Sequence, residues 1–267
     1  MKLATWNINS LKVRLPQLLG WLEANQPDVM CLQETKLEDP NFPREDIAAV
    51  GYEAYFCGQK AYNGVAVLAK RPGADVINCI PEFDDPQKRV LAACFEDVRV
   101  VSAYVPNGQT VGSEKYEYKL RWLARFRSWL EQELACYPKL AVLGDYNIAP
   151  EDRDVHDPVL WQGSVLTSEP EREKFRELIG IGFVDSFRRF PQEDNAFTWW
   201  DYRLFAFRRN RGLRIDHILL SPALANVCTS CTIDKSLRGG ERPSDHAIVV
   251  AELMPGAAQN NISSATS

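Results

Sequence analysis

The amino-acid sequence predicts an α/β fold in which two mixed β-sheets pack against each other and helices cover their outer faces. Short apolar runs typical of buried strands recur along the 267 residues, and helical patterns separate them at irregular intervals. No strand–helix–strand unit repeats along the chain. A doubly wound parallel sheet would require that repeat, so two packed sheets fit the pattern better.

Seven apolar runs predict the strands, because each has the length, roughly four to eight residues, and the aliphatic composition of a buried strand. They span residues 3–8, 29–33, 65–68, 98–105, 140–143, 215–220 and 247–253. Three segments show apolar residues at helical spacing instead, which predicts helices at residues 11–23, 115–134 and 171–178. In the first, Leu11, Leu15 and Leu18 lie on one stripe.

Length and composition indicate one globular domain. At about 150 residues per domain the length allows one or two domains, and the absence of a Ser/Gly-rich linker favours a single domain over residues 1–254. Residues 255–267 are small, polar and unpatterned, so we expect a flexible tail there. A hydrophobic content of 45% with 25% charged residues excludes a mainly disordered chain, a collagen-like fibre and a small disulfide scaffold.

Charge and cysteine content narrow the function classes. The formal net charge of −5 argues against a nonspecific coat for nucleic acid, which would be basic. Most of the seven cysteines lie among apolar neighbours, as reduced core thiols do, which indicates a cytoplasmic protein. Cys228 and Cys231 form a C-x-x-C without the second pair that a zinc site needs. The sequence shows no signal-peptide pattern and no apolar run of about 20 residues, so we expect no membrane partner.

The informative polar residues stand at the ends of the predicted strands. They are Asn7, Asn9, Glu34, Tyr104, Asn107, Asp145, Asn147, Asp216, Asp245 and His246. Each one alone is explained by turn formation, for which Asp and Asn are well suited. Glu34 is harder to explain in that way, because no turn residues lead into it. Asp216 is harder still, because it lies between apolar residues where an unpaired charge is costly. Reactive groups at the ends of packed strands are held accurately yet remain accessible to a substrate.

These residue types indicate metal-assisted hydrolysis of a phosphate ester. Carboxylates and amides with few Cys or His residues are hard oxygen ligands, which favour Mg²⁺ or Mn²⁺ over zinc. The sequence contains neither a glycine-rich phosphate loop nor a serine in a nucleophile turn. An acid that deprotonates water, a metal ion on the phosphate, and a cationic His or an amide would together supply the chemistry.

Six motifs at these positions resemble those of the exonuclease III family, in the family order and over nearly the whole chain. They are Thr5-Trp6-Asn7-Ile8-Asn9, Leu32-Gln33-Glu34-Thr35-Lys36, Tyr104-Val105-Pro106-Asn107-Gly108, Gly144-Asp145-Tyr146-Asn147, Arg214-Ile215-Asp216-His217 and Ser244-Asp245-His246. The resemblance implies a four-layer α/β sandwich. It also implies a Mg²⁺-dependent enzyme, with Mn²⁺ as a substitute, that cleaves double-stranded DNA at abasic sites and processes blocked or recessed 3′ ends. We expect a monomer.

The resemblance also implies a role for each motif residue. Glu34 is the principal metal ligand, with Asn7 beside it and Asp245 on the other side. Asp145 activates the water and Asn147 helps to hold the water and the phosphate. His246 contacts the phosphate with support from Asp216, and Tyr104 and Asn107 bind phosphate or leaving oxygen. Asp145, Asn147 and His246 are included in the expected metal site as well.

Residues 198–214 offer a surface that an acidic protein could use to bind DNA. The stretch carries five arginines against one aspartate and is interleaved with aromatic residues. Arginines supply phosphate contacts, and apolar rings can wedge into a groove or hold an extruded nucleotide. We therefore expect Arg203, Arg208, Arg209 and Arg211 on the binding face, and the affinity for DNA to depend steeply on salt. A second, weaker candidate surface with basic residues, Lys119 among them, runs over residues 113–127.

The resemblance adds that Trp199, Leu213 and Ile215 match the lining of the family's pocket for a base-less sugar, and that Arg203 matches a groove-inserting position. Two alternatives remain at this stage. One is a phosphoesterase of the same fold that acts on a phosphoinositide, on sphingomyelin or on DNA nonspecifically. The other is a DNA-binding protein that has lost catalysis, which the intact set of acids disfavours.

Overall fold

The computed structural model describes residues 1–254 and forms the four-layer sandwich expected from the sequence. Its strands are β1 (Lys2–Asn7), β2 (Val29–Gln33), β3 (Glu53–Cys57), β4 (Val65–Ala69), β5 (Ala74–Ile77), β6 (Val90–Phe95), β7 (Val98–Tyr104), β8 (Leu140–Asp145), β9 (Val184–Asp185), β10 (Asp216–Leu220), β11 (Cys228–Asp234) and β12 (Ile248–Leu253). Its α-helices are α1 (Leu11–Asn25), α2 (Arg44–Ala49), α3 (Glu114–Cys136), α4 (Pro158–Trp161), α5 (Glu169–Gly180) and α6 (Pro222–Ala225). The expected tail at residues 255–267 lies outside the described residues.

The strands form two six-stranded mixed sheets. The first has the order β11-β12-β1-β2-β4-β3, and the second has the order β5-β6-β7-β8-β10-β9. Each sheet contains one parallel pair at its centre, β1 with β2 and β7 with β8, while the other neighbours are antiparallel. The carboxyl ends of the parallel pairs face the same edge of the sandwich, as a hydrogen bond between Asn7 and Asp145 shows.

Three apolar layers hold the sandwich together. Alternate side chains of both sheets, such as Val67, Val100 and Leu143, form the layer between them. Helices α1 and α2 bury their apolar faces on the first sheet. Helices α3 and α5 cover the second sheet, with Phe126 and Phe175 among the residues they bury. No helix within residues 1–254 has the length and apolar character needed to cross a membrane.

All seven predicted strands and the three predicted helices are present, with ends shifted by a few residues. The structure adds strands β3, β5, β6, β9 and β11, which the sequence reading missed. Strands β3, β5, β9 and β11 lie at sheet edges, where one-sided exposure breaks up the apolar run that marks a central strand. β6 is a central strand whose run, Val90–Phe95, did carry that signal and was overlooked.

Candidate active site

The strand-end residues predicted from the sequence meet at one edge of the two sheets. Asn7, Tyr104 and Asp145 end their strands, and Asp216 begins β10. A glycine is required before the central acid, because a Cβ on Gly144 would lie 1.9 Å from the carbonyl oxygen of Ala103. The close approach of β8 to β7 at this point fixes where the carboxylate of Asp145 emerges.

Asp145 is buried and receives several donors. The side-chain amide of Asn7 donates to its Oδ2 over 2.8 Å, and the backbone N–H of Asn147 donates to Oδ1 over 2.8 Å. Burial raises the pKa of Asp145, and the neighbouring Asp216 carboxylate adds to this effect. A carboxylate whose pKa is raised in this way is a better proton acceptor than an exposed one.

His246 pairs with Asp216 and faces Asp145. Its Nδ1 lies 2.9 and 3.1 Å from the two carboxylate oxygens of Asp216, and its Nε2 lies 3.9 Å from Asp145 Oδ2. Burial by itself would lower the pKa of His246, but the carboxylates of Asp216 and Asp145 outweigh burial and raise it to about 10. A protonated imidazole has no lone pair for a metal ion, so a metal-ligand role for His246 would require the ring to lose a proton.

Glu34 lies on the other side of Asn7. The same Asn7 amide nitrogen donates to Glu34 Oε1 over 2.9 Å, and the hydroxyl of Tyr104 donates to this oxygen over 2.9 Å. The ammonium of Lys36 lies 2.8 Å from the second oxygen, Oε2. Burial would raise the pKa of Glu34, but Lys36 and Asn7 hold it below its usual value. The carboxylate is therefore ionised and accepts cationic partners.

Asp245 lies in the loop that precedes β12 of the first sheet, and its carboxylate accepts hydrogen bonds from two side chains. Asn9 Nδ2 donates to its Oδ1 over 2.8 Å, and the indole Nε1 of Trp199 donates to its Oδ2 over 3.0 Å. Trp199 thereby connects the acidic cluster to the arginine-rich loop. Asn9 and Lys36 were not among the residues given a role from the sequence, although both lie within the quoted motifs.

The two asparagines form a separate pair at the rim. Asn107 Nδ2 donates to Asn147 Oδ1 over 3.0 Å, and Asn147 Nδ2 donates to the backbone carbonyl of Val105 over 3.0 Å. Asn107 is exposed, whereas Asn147 is buried and has a left-handed backbone with a φ of 49°. An amide group at the surface beside a buried carboxylate is suited to hold a phosphate oxygen.

The donor chemistry of the site fits a hard divalent cation. Glu34 and Asp145 present carboxylate oxygens on either side of one amide, and ligand atoms of Asp145, Asp216 and His246 lie within 4.8 Å of one another. The Asp216 carboxylate is already paired with an imidazole, which leaves the oxygens of Glu34 and Asp145 as the better-placed ligands. An oxygen-rich set of this kind matches Mg²⁺ or Mn²⁺.

The arginine-rich stretch divides into an exposed loop and a buried part. Arg203, Arg208, Arg209 and Arg211 are exposed, as expected for a binding face. Arg214, the fifth arginine of the stretch, is instead buried and pairs with Asp154 and Asp185. The second candidate surface is corrected likewise, since Lys119 is completely buried. The count of local charges overstated the positive charge of both surfaces, because it cannot show which cations pair with acids far along the chain.

The expected lining of the sugar pocket is also corrected. Leu213 and Ile215 are 0% and 1% exposed and pack in one cluster with Leu166, so they lie beneath the surface rather than on it. Trp199 does face an open groove of about 420 Å³, beside the edge of the Trp161 ring. Arg203 and Arg211 line the same groove. An aromatic wall with arginines at its margin is a suitable surface for a nucleotide.

Comparison with known proteins places this fold and site in a class. The chain belongs to the Endonuclease/Exonuclease/phosphatase family, which it matches over residues 4–246. It is 37% identical to Exodeoxyribonuclease III of Haemophilus influenzae, over 95% of this chain and 100% of that protein.

Two solved structures are similar along almost their whole length. One is the 3′ phosphatase NExo from Neisseria bound to a product DNA hairpin, with a TM-score of 0.94 and 43% identity over 96% of this chain and 100% of that one. The other is an AP endonuclease from Archaeoglobus fulgidus, with a TM-score of 0.92 and 36% identity over 96% and 100% of the two chains. The resemblance inferred from the six motifs is confirmed.

Proposed function

We propose that this protein is a Mg²⁺-dependent DNA-repair phosphodiesterase that hydrolyses the backbone at abasic sites and at blocked or recessed 3′ ends. The observation that carries the proposal is the meeting of Glu34, Asn7 and Asp145 next to the Asp216–His246 pair at one sheet edge. DNA is supported as the substrate by relatives that are named as an exodeoxyribonuclease, a 3′ phosphatase and an AP endonuclease. We further propose that it acts as a monomer in the reducing cytoplasm.

The residues of the site divide the reaction among them. Asp145 accepts the proton of the attacking water, because its buried carboxylate has a raised pKa. Asn147 orients that water, and Asn107 holds a phosphate oxygen. The imidazolium of His246 stabilises the negative charge that develops on the phosphate, and Asp216 keeps the ring oriented and protonated.

The metal would be held by Glu34 and Asp145, with Asn7 and Asp245 beside them. When bound, Mg²⁺ supplies positive charge that neutralises phosphate oxygens. Tyr104 supports this arrangement, since its hydroxyl donates a hydrogen bond to Glu34 and keeps that carboxylate in place.

DNA would lie across the exposed loop that contains Arg203, Arg208, Arg209 and Arg211. These side chains supply phosphate contacts without sequence preference. The groove beside Trp199 would receive the nucleotide or sugar next to the scissile phosphate. Because Leu213 and Ile215 are buried in one cluster with Leu166, they would support this groove rather than line it.

The test uses two labelled duplexes, one with a central tetrahydrofuran abasic analogue and one with a recessed, undamaged 3′ end. Each is incubated with Mg²⁺ or with EDTA, and Asp145→Asn prepared in parallel controls for contaminating nuclease. Cleavage that requires Mg²⁺ and Asp145 is expected for both substrates. A single cut in the first duplex alone would restrict the function to abasic incision, and shortening of the second alone would restrict it to 3′-end processing. Cleavage of neither substrate would contradict the proposal.

A further inference from the structure

Helix α3 places a lysine in the interior, directly behind the two asparagines of the site. Lys119 is 0% exposed, and its ammonium donates to the backbone carbonyl of Asn147 over 2.6 Å and to that of Asn107 over 3.2 Å. Its third partner is the carboxylate of Glu171, which is also 0% exposed. All three protons of the ammonium therefore have an acceptor.

The carbonyls that Lys119 holds belong to two different loops. Asn107 lies in the loop after β7, and Asn147 lies in the loop after β8. The side chains of these residues are joined by their own hydrogen bond of 3.0 Å. Asn147 also has a φ of 49°, a left-handed conformation that asparagine adopts more readily than other non-glycine residues. One ammonium thus fixes the backbone on which both amides are mounted.

Glu171 connects the same point to helix α5. Its Oε1 accepts from the backbone N–H of Leu166 over 3.1 Å, and its Oε2 accepts from the backbone N–H of Ser168 over 3.1 Å. Helix α3, both asparagine loops and the start of α5 are therefore tied together by a single buried pair. Burying two charges is costly, and packed apolar side chains would join helices at least as stably.

We propose that Lys119, with Glu171 as its counter-ion, is a positioning residue that sets the spacing and orientation of the Asn107 and Asn147 amides for phosphate and water. This inference rests on the proposed function for its kinetic consequence. A displacement of about 1 Å in a positioning group can lower turnover by about a hundredfold. The pair therefore acts on the rate of the reaction, beyond its contribution to stability.

The same helix provides a matched control. Near its other end, Glu133 pairs with the buried Arg99 of β7, with the Arg99 Nε 2.7 Å from Glu133 Oε2. Within residues 1–254, the Arg99 side chain hydrogen-bonds to Glu133, to the carbonyl of Asp75 and to Cys94, none of which belongs to the candidate site. The experiment compares Lys119→Met with Glu171→Gln, made together, against Arg99→Met with Glu133→Gln, also made together. In each double variant the ion pair is removed without leaving an unpaired buried charge.

Thermal unfolding is measured for both double variants. Their kcat and KM are then measured at a temperature well below either unfolding midpoint. We expect similar changes in stability in the two variants, while only the Lys119/Glu171 variant loses about 10- to 100-fold in kcat with little change in KM. Equal kcat values in the two variants would overturn the proposal. If the Lys119/Glu171 variant does not fold, Lys119→Leu with Glu171→Gln, which also removes the ammonium without leaving an unpaired buried charge, replaces it in the same comparison.

A second readout does not depend on turnover. The side-chain amide NMR signals of Asn107 and Asn147, assigned by Asn→Asp substitution at each position, should shift or broaden in the Lys119/Glu171 variant and stay in place in the Arg99/Glu133 variant. Unchanged amide signals would overturn the positioning role even if wild-type protein cleaved no DNA. If the wild-type protein cleaves no DNA but the amide signals shift in the Lys119/Glu171 variant, the proposed function is contradicted and the positioning role is retained.

Discussion

Asp154 and Asp145 are both buried aspartates, but their charge partners differ. Asp154 is bound by two guanidiniums, since Arg214 lies 2.6 Å away through Nε and Arg188 contacts the same carboxylate. Arg214 in turn pairs with Asp185 over 2.8 Å. In this group, the Asp154 network, two carboxylates are matched by two cations. Burial would raise the pKa of Asp154, but the guanidiniums hold it below its usual value.

The candidate active site lacks this balance. Four carboxylates, those of Glu34, Asp145, Asp216 and Asp245, lie close together there. Within residues 1–254, the side-chain ion pairs of this group involve only Lys36 and His246. The two regions teach that a buried charge with a structural role is neutralised by the protein itself, whereas a reactive site keeps an excess of negative charge for a metal ion and a phosphate to complete.

The largest expected effect is on the rate of cleavage. Asp145→Asn should lower turnover by at least about a thousandfold, because it removes the proton acceptor. Its stability should stay equal to wild type or rise, since the substitution removes a carboxylate that burial and Asp216 disfavour. Single-turnover kinetics and urea unfolding measure the two quantities. Loss of folding in this variant would show that Asp145 is a structural charge like Asp154.

Asp154→Asn should show the opposite pattern, with stability lost and activity retained. Removing one partner of a buried ion pair costs about 3–5 kcal/mol. Because the pKa of Asp154 is lowered in the folded state, its stabilisation is present at neutral pH and is lost as the pH falls below the usual carboxyl range. Urea unfolding from neutral to acidic pH should therefore show a difference from wild type that shrinks on acidification. A constant difference would contradict this account.

Metal binding should stabilise the candidate active site and leave the Asp154 network unaffected. At a Mg²⁺ concentration of 100 times Kd, wild-type stability should rise by about 2.7 kcal/mol. Glu34→Gln should abolish most of that rise, since the variant loses a charged ligand. Glu252→Gln on β12, which pairs with Lys2 on the neighbouring strand, is the matched control and should respond as wild type does. An equal response in both variants would remove Glu34 from the metal site.

The smallest effect is expected at the exposed loop. Arg203→Ala should reduce the slope of log affinity against log salt for duplex DNA by about 0.9, the contribution of one phosphate contact. The Arg203 side chain is 87% exposed and its nearest acid, Asp201, is 4.0 Å away, so little else is lost. Lys139→Ala, at the other end of β8 from Asp145, should leave the slope unchanged. An unaltered slope for Arg203→Ala would take this arginine out of the DNA contact.

The sequence by itself determined most of the central strands and the polar residues at their ends, because both are encoded by neighbours along the chain. The apolar run at 140–143 followed by Asp145 predicts a strand that presents an acid at its end, and β8 does this. The same holds for Asn7 at the end of β1 and for Asp216 at the start of β10. Period and position along the chain are sufficient for such features, since side-chain direction in a strand follows from backbone geometry.

Only the tertiary structure decided which charged and apolar side chains are exposed. Lys119 meets Glu171 from 52 positions away, and Arg214 meets Asp154 from 60 positions away, so a local count of charges placed both on a surface where neither lies. Leu213 and Ile215 are likewise buried in one cluster with Ala149, Val155 and Leu166. Burial depends on which distant segments pack onto a residue, and the energy of a buried charge depends on the partners those segments bring.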